Sequence, residues 1–322
     1  MVEKKSACCL IAPLLVFSML YPMMLTVAAH TDNSTYSLGS WRPPENFVDP
    51  VTLKIQEFKE QGLSDDEITV ELEKLGMGWY PKTGATWIGR ALTSEELAQM
   101  PPRVHVGAPS AETADMQQPS MLLALVSRAS VMRTSSYSWT GVGAEVVCGS
   151  MSVASGQTLY HYVTVQLGDL DGLSSWAEVV VTHNYGETYK WYTYDSNEGG
   201  WTFYANKNTP STATDTYVIM LDGTQDGYGY HYDVWINYEW VRRAHLSSLY
   251  VQADFQKEVF SNSGTFTNDA SRSVYYRNWL HNAQGWSYWT NAVATQWSAS
   301  APVQESHTMG AVSYNWQTWV QN

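Results

Sequence analysis

The chain has 322 residues, with 18 Lys and Arg against 31 Asp and Glu and a formal net charge of −13. That balance argues against binding nucleic acid or an anionic membrane surface, both of which need clustered basic side chains. A hydrophobic share of 44% beside a charged share of only 15% supports a sizeable core and excludes global disorder. Aromatics take up the difference, with 15 Trp and 21 Tyr against 7 Phe, and such apolar bodies with polar tips suit half-wet sheet surfaces.

In chain order, Lys4 and Lys5 precede an almost wholly apolar stretch at 8–28, and Val27-Ala28-Ala29 offers small residues for cleavage. Residues 1–29 therefore read as a secretory signal peptide, with an uncleaved membrane anchor through 8–28 as the alternative. Either way the expected location is secreted or cell-surface. Cys8 and Cys9 leave with a cleaved signal, so Cys148 stands alone and reads as a buried free thiol. Residues 30–49 form a polar lead-in that carries the glycosylation sequon Asn33-Ser34-Thr35 and Pro43-Pro44.

Residues 50–102 read as a short helical region. Val51, Ile55 and Phe58 fall at helical spacing. Ser64 and Glu67 form a capping box before Ile68, Leu72 and Leu75, and Gly76 closes that helix. Thr93 and Glu96 form a second box before a helix stopped by Pro101-Pro102. This acidic region is either a spacer or cap, or a propeptide whose helices cover a groove. Residues 103–135 read as a linker, with a short strand or helix at Met121–Val126.

Residues 136–322 read as β. Runs rich in Val, Tyr, Trp and Thr occur at 143–148, 158–167, 176–183, 187–194, 199–205, 215–221, 228–238, 247–255, 271–280 and 311–320, separated by Gly, Asn, Asp and Ser. Short strands with regular turns imply an all-β antiparallel sandwich of jelly-roll type. Alternate residues of a strand face opposite sides. His161, Val163, Val165 and Leu167 then oppose Tyr160, Tyr162, Thr164 and Gln166. Ala177, Val179 and Val181 oppose Trp176, Glu178 and Thr182, and Leu249, Val251, Ala253 and Phe255 oppose Ser248, Tyr250, Gln252 and Asp254. One face is aliphatic and should be core. The other carries aromatics, amides and carboxylates, and is a candidate groove for an extended polypeptide or polysaccharide chain, or an aromatic face covered by the N-terminal region.

Ser138-Trp139-Thr140-Gly141, the run Tyr162–Gly172 ending in Asp169-Leu170-Asp171-Gly172, the strand holding Glu178, Tyr189-Lys190-Trp191-Tyr192-Thr193-Tyr194-Asp195, and Gly264-Thr265-Phe266-Thr267-Asn268 follow one another in that order. Over about residues 135–270 this order resembles the glutamic peptidases, the eqolisins and related neprosins. The resemblance implies a concanavalin-like jelly roll and a catalytic pair of Glu and Gln. The first catalytic position then falls at Glu178. The second, a Glu in the family, belongs on the 247–255 strand, which offers Ser248 and Gln252 but no Glu. Glu239 lies in the preceding turn region. An inverted pair follows, Glu178 as acid and base with Gln252, or Glu239, as partner. Gln166, Trp176, Tyr192, Tyr194 and Tyr250 would line the substrate groove. The rival expectation is a non-catalytic carbohydrate-binding or cell-envelope module, with Trp176, Tyr192, Tyr194 and Trp201 as stacking platforms.

No cofactor is implied, and no metal site is expected. The His residues are scattered without a His-Glu-x-x-His motif, and no Gly-x-Ser-x-Gly elbow marks a serine hydrolase. Asp169–Gly172 and Asp222–Gly227 read as acidic hairpin turns, with calcium as the alternative ligand.

Overall fold

The computed structural model describes residues 41–99, 126–172, 174–197, 200–310 and 312–322, all of them within the compact unit Ser37–Asn322. The segment read as a signal peptide or anchor, the sequon at Asn33, Pro101-Pro102 and most of the 103–135 segment lie outside them. Among the described residues no helix is long and apolar enough to cross a membrane.

Helix α1 (Pro50–Glu60) starts where Asp49 accepts the Thr52 N–H and Pro50 presets the first turn. Helix α2 (Asp65–Lys74) starts on the expected capping box, with Ser64 and Glu67 exchanging hydrogen bonds. Three short strands follow, β1 (Met77–Trp79), β2 (Thr86–Ile88) and β3 (Arg90–Ala91), then α3 (Ser94–Gln99). The remaining strands are β4 (Val126–Thr134), β5 (Gly141–Val147), β6 (Thr158–Gly168), β7 (Trp176–Asn184), β8 (Lys190–Asp195), β9 (Gly200–Asn206), β10 (Thr214–Asp226), β11 (Gly229–Ile236), β12 (Glu239–Leu246), β13 (Gln252–Ser261), β14 (Ser273–Asn282), β15 (Gly285–Tyr288), β16 (Thr295–Ala299), β17 (Val303–Met309) and β18 (Tyr314–Val320).

They form two antiparallel sheets in a jelly-roll sandwich. One has eight strands in the order β16-β4-β13-β6-β7-β8-β9-β3. The other has ten, β1-β2-β12-β11-β10-β5-β14-β18-β17, with β15 beside β14. Val163, Val165, Leu167, Val179, Val181 and Phe255 of the first meet Val142, Val146, Tyr217, Ile219, Val234 and Ile236 of the second in one buried core. The aliphatic parity expected from the sequence is the core parity. Cys148 is a buried free thiol in that core.

The short strands β1–β3 and β15–β17 fall outside the runs read as strands, and three further boundaries differ where a charge is buried. Residues 126–134, read as linker, are strand β4, second in the eight-stranded sheet; its Arg133 is buried against Asp254. Residues 239–246, read as turn, are β12, whose Arg242 is buried over the Trp87 ring. The strand read at 247–255 begins at Gln252 and runs on to Ser261. Lys257 interrupts its core-facing alternation in sequence. In the fold it donates to Asp269 Oδ2 at 2.6 Å and to Ser273 at 3.1 Å, and both ions are fully buried.

Helices α1 and α2 do not lie over the aromatic face; of the 50–102 region, Leu92 and Glu96 reach its edge. Val51, Ile55, Ile68 and Leu72 pack on Val218, Met220, Trp235, Trp240 and Trp279, the outer face of the ten-stranded sheet. That sheet is apolar on both sides of β10, because Val218 and Met220 point outward while Tyr217 and Ile219 point to the core. A two-sided apolar strand needs two covers. The region is also built into the sheets, since β2 pairs with β12 and β3 with β9.

Candidate functional site

The outer face of the eight-stranded sheet carries the groups of interest, and strand register arranges them in rows. One row runs Trp201, Tyr194, Glu178, Gln166, Asp254, Arg133 and Gln296 across successive strands from β9 to β16. The adjoining row on one side is Trp176, Gly168 and Gln252. On the other side Tyr192, Val180, Thr164 and Gln256 follow, and then Thr182, Tyr162 and Glu258. Directly opposed side chains in such rows have Cβ atoms about 4.5–5.5 Å apart. Glu178 and Gln166 are therefore immediate neighbours, and Asp254 is one strand further on.

Aromatic rings form a ribbon along one flank. Trp176 to Tyr194 is 5.3 Å between centroids, Tyr194 to Trp201 4.9 Å, and Trp201 to Tyr162 6.3 Å. Gly168 lets the ribbon sit close to the sheet, because a Cβ there would stand 2.3 Å from the Trp176 Cβ. Leu92, just beyond β3, joins Tyr162, Val180, Tyr192, Trp201 and Phe260 in one apolar cluster. A cleft of ≈ 250 Å³ opens beside it, lined by Leu92, Glu96, Tyr160, Asn184, Lys190 and Tyr192.

The opposite flank is polar. Asp254 Oδ2 accepts from Arg133 Nε at 3.1 Å, Arg133 Nη2 at 3.0 Å and Gln256 Nε2 at 2.7 Å. Arg133 Nη1 donates to the Leu170 carbonyl at 3.0 Å and to Asp171 Oδ1 at 3.2 Å. Gln166 Nε2 donates to Thr164 Oγ1 at 3.0 Å. Glu178 and Asp254 are fully buried and Gln166 is 4% exposed.

The structure thus brings Glu178, Gln166, Trp176, Tyr192, Tyr194 and Trp201 onto one face. Gln252 shares that face, but its amide is directed at the turn before β7, donating to Asp171 Oδ2 at 2.9 Å and to the Thr134 carbonyl at 3.2 Å. Glu239 belongs to the other sheet, where it is exposed and accepts from Tyr204 Oη at 3.3 Å. Tyr250 precedes β13 and is 45% exposed. The sequence reading missed Arg133 and Glu258. The signal for Glu258 was present, since the even-numbered positions from Gln252 to Glu258 keep one face once Lys257 is accepted as buried.

The acidic turns spend their oxygens on the protein. Asp169 accepts from Gly172 N, Ser174 Oγ and Tyr137 Oη. Asp222 and Asp226 hold Thr224, Arg243, His231 and the β10–β11 turn backbone.

No protein-family model matches the sequence, and no curated protein matches it. Solved structures give a loose likeness of fold. Scytalidoglutamic peptidase with a peptide-based transition-state analogue matches at 11% identity, over 61% of this chain and 100% of that one, with a TM-score of 0.45. SCP-B, a peptidase of the eqolisin family, matches at 11% identity over 62% and 100%, with a TM-score of 0.38. The Bacillus licheniformis β-glucanase matches at 9% identity over 59% and 70%, with a TM-score of 0.27. At these scores the likeness assigns neither a family nor an activity to this chain.

Proposed function

We propose that the chain is an exported hydrolase of the glutamic-peptidase type, whose outer aromatic face takes an extended polypeptide. Glu178 is the general acid and base, and Gln166 is the amide beside it. The supporting observation is the register that opposes Glu178 and Gln166 on adjacent strands, between an aromatic flank and a polar one. A carboxylate in that position takes a proton from water as it attacks the scissile amide and returns it to the leaving amine. An amide N–H beside it donates to the developing oxyanion, an interaction whose loss costs about 10²–10³ in rate. The Gln166 amide must release Thr164 Oγ1 to do so. The apolar stretch at 8–28 after Lys4 and Lys5 supports export.

Glu178 has no solvent exposure, so the intact chain is expected to be latent until its outer face is uncovered. The test is cleavage of an unfolded protein substrate from about pH 2 to 7, the range in which carboxyl pairs titrate, before and after limited proteolysis of the chain. The processed protein should cleave in acid, Glu178→Gln should abolish cleavage with the fold intact, and Gln166→Ala should slow it by about a hundredfold or more. A processed wild type inactive across the whole range overturns the reading. The Trp176–Tyr194–Trp201 ribbon favours a second reading, a glycan-binding face. In that case Glu178→Gln binds polysaccharide like wild type and Trp176→Ala weakens binding.

A further inference from the structure

On the ten-stranded sheet, away from the face just described, three side chains converge that the proposed hydrolysis does not use. His231 on β11 and His245 on β12 are directly opposed in the ladder, with ring centroids 4.5 Å apart. Asp226, at the end of β10, places one carboxylate oxygen between them. Its Oδ2 is 2.9 Å from His231 Nε2 and 3.5 Å from His245 Nε2. One ligand atom from each of the three lies within 4.8 Å of the others. A tetrahedral ion with bonds of about 2.0–2.1 Å sets its ligands about 3.3 Å apart, so small side-chain movements would close this triad on a metal.

The surroundings fix the ligands. Asp226 Oδ1 accepts the N–H groups of Tyr228 at 2.7 Å and Gly229 at 3.2 Å, so the hairpin turn orients its carboxylate. The other ring nitrogen of His231, Nδ1, lies 2.7 Å from Thr224 Oγ1, which donates to Asp222 Oδ1 at 2.6 Å. Asp222 is in turn held by Arg243 at 3.2 Å. An imidazole that ligates through one nitrogen and donates from the other into such a chain has its tautomer and plane set. The His245 N–H is bound by Asp195 Oδ2 at 2.9 Å, and its carbonyl accepts from Asn197 Nδ2 at 2.7 Å, which anchors the third ligand's backbone. His245 is fully buried, the His231 side chain is 17% exposed and that of Asp226 34%. The site therefore opens to solvent on the carboxylate side, leaving a position for water.

The geometry points to a binding site for a divalent transition-metal ion of the zinc class, held by Asp226, His231 and His245. Two imidazoles and one carboxylate suit zinc, copper or nickel, whereas calcium takes oxygen ligands. The acidic turn at Asp222–Gly227 would thus serve a metal other than the one its composition suggests. Bound there, the ion would tie the β10–β11 turn to the end of β12.

The test uses the full chain, stripped with a chelator and dialysed against zinc ion, with metal read by elemental analysis. One zinc per chain is expected, with a higher melting temperature and no displacement by millimolar calcium. Cobalt ion in its place should give visible d–d absorption of four- or five-coordinate type. Asp226→Asn and His231→Ala should each weaken zinc binding by at least about tenfold, and Thr224→Val should weaken it by about 10–100-fold through the second ring nitrogen. The buried His245 is left intact so that folding is not at stake, and circular dichroism checks each variant. Zinc binding below one ion per chain, or variants that fold and bind like wild type, overturns the assignment.

Discussion

His161 should make this fold labile toward acid, and replacing it should remove that lability. The side chain lies on the core face of β6 with no solvent exposure, and neither ring nitrogen finds a hydrogen-bond partner among the described residues. Burial pushes the imidazole from its ordinary 6.5 down to about 3, Lys257 pushes the same way, Asp269 opposes, and His183 adds a smaller push downward. The Asp269 oxygen is 3.6 Å from Nδ1, too long for a strong hydrogen bond. The unfolded chain takes up a proton at this position below about pH 6.5, and the folded chain does so only near 3. Stability is therefore lost as pH falls through that window. At about 1.4 kcal/mol per pH unit the loss through this one group is about 3 kcal/mol between pH 7 and 4. His161→Leu keeps a buried side chain of similar bulk and cannot titrate. Urea unfolding of both proteins at pH 7, 5.5 and 4, compared at equal m-values, reads the difference. The stability of wild type relative to the variant should fall by about 3 kcal/mol from pH 7 to 4. Parallel curves would refute the reasoning and mean that Asp269 holds the buried ring protonated.

Two further outcomes follow from buried groups. Burial holds the Asp233 carboxyl up at about 6 although Arg243 and the Trp240 N–H pull it down. Its contribution is present in acid and fades as pH rises through 6, opposite in sign to His161. Asp233→Asn should lose about 2 kcal/mol more than wild type between pH 6 and 4, and a variant that tracks wild type in the same urea titration contradicts this. Burial pushes the Cys148 thiol up to about 12, and its Sγ donates to the Ser211 carbonyl at 3.4 Å. A thiol-exchange reagent at pH 8 should leave the native protein unlabelled and react fully in denaturant, since only the thiolate attacks; fast native labelling would count against the burial argument.

The sandwich and the two faces of its sheets were legible in the sequence because the side-chain period of a strand is two, and β6 from Tyr160 on, β7 and β8 keep that period. What escaped includes β4, β12 and the far half of β13, each of which buries a basic side chain. Arg133, Arg242 and Lys257 carry charges of a kind that ordinarily faces solvent, yet each is buried in the fold: Arg133 on Asp254, Lys257 on Asp269, and Arg242 donating to Thr202 Oγ1 at 3.1 Å. The partners are distant in sequence, so no local window contains the reason for the burial. The register that opposes Glu178 to Gln166 is likewise a property of the pairing of β6 with β7, and Gln252 looked the better partner only because face parity was known and row position was not. The same limit hid the Asp226–His231–His245 convergence, which needs the β11–β12 ladder to exist.

The contrast between the two outer faces bears on function. Both belong to sheets of one sandwich, and both are largely buried. The ten-stranded sheet meets its cover with Val218, Met220, Trp235 and Trp279, which gain stability from burial at about 25 cal/mol per Å². The eight-stranded sheet instead buries Glu178, Asp254 and Glu258 among Gln166, Gln252 and Gln256. Burying carboxylates and amides costs free energy unless every one is paired, and a well-packed apolar replacement is often as stable or more so. The same fold thus shows, one layer away, the apolar solution that would have served stability alone. Under the proposed reading, this cluster of carboxylates and amides, set in register beside an aromatic ribbon, is where chemistry on a chain laid across the strands would take place, and Glu178→Gln is the substitution that separates that role from a purely structural one.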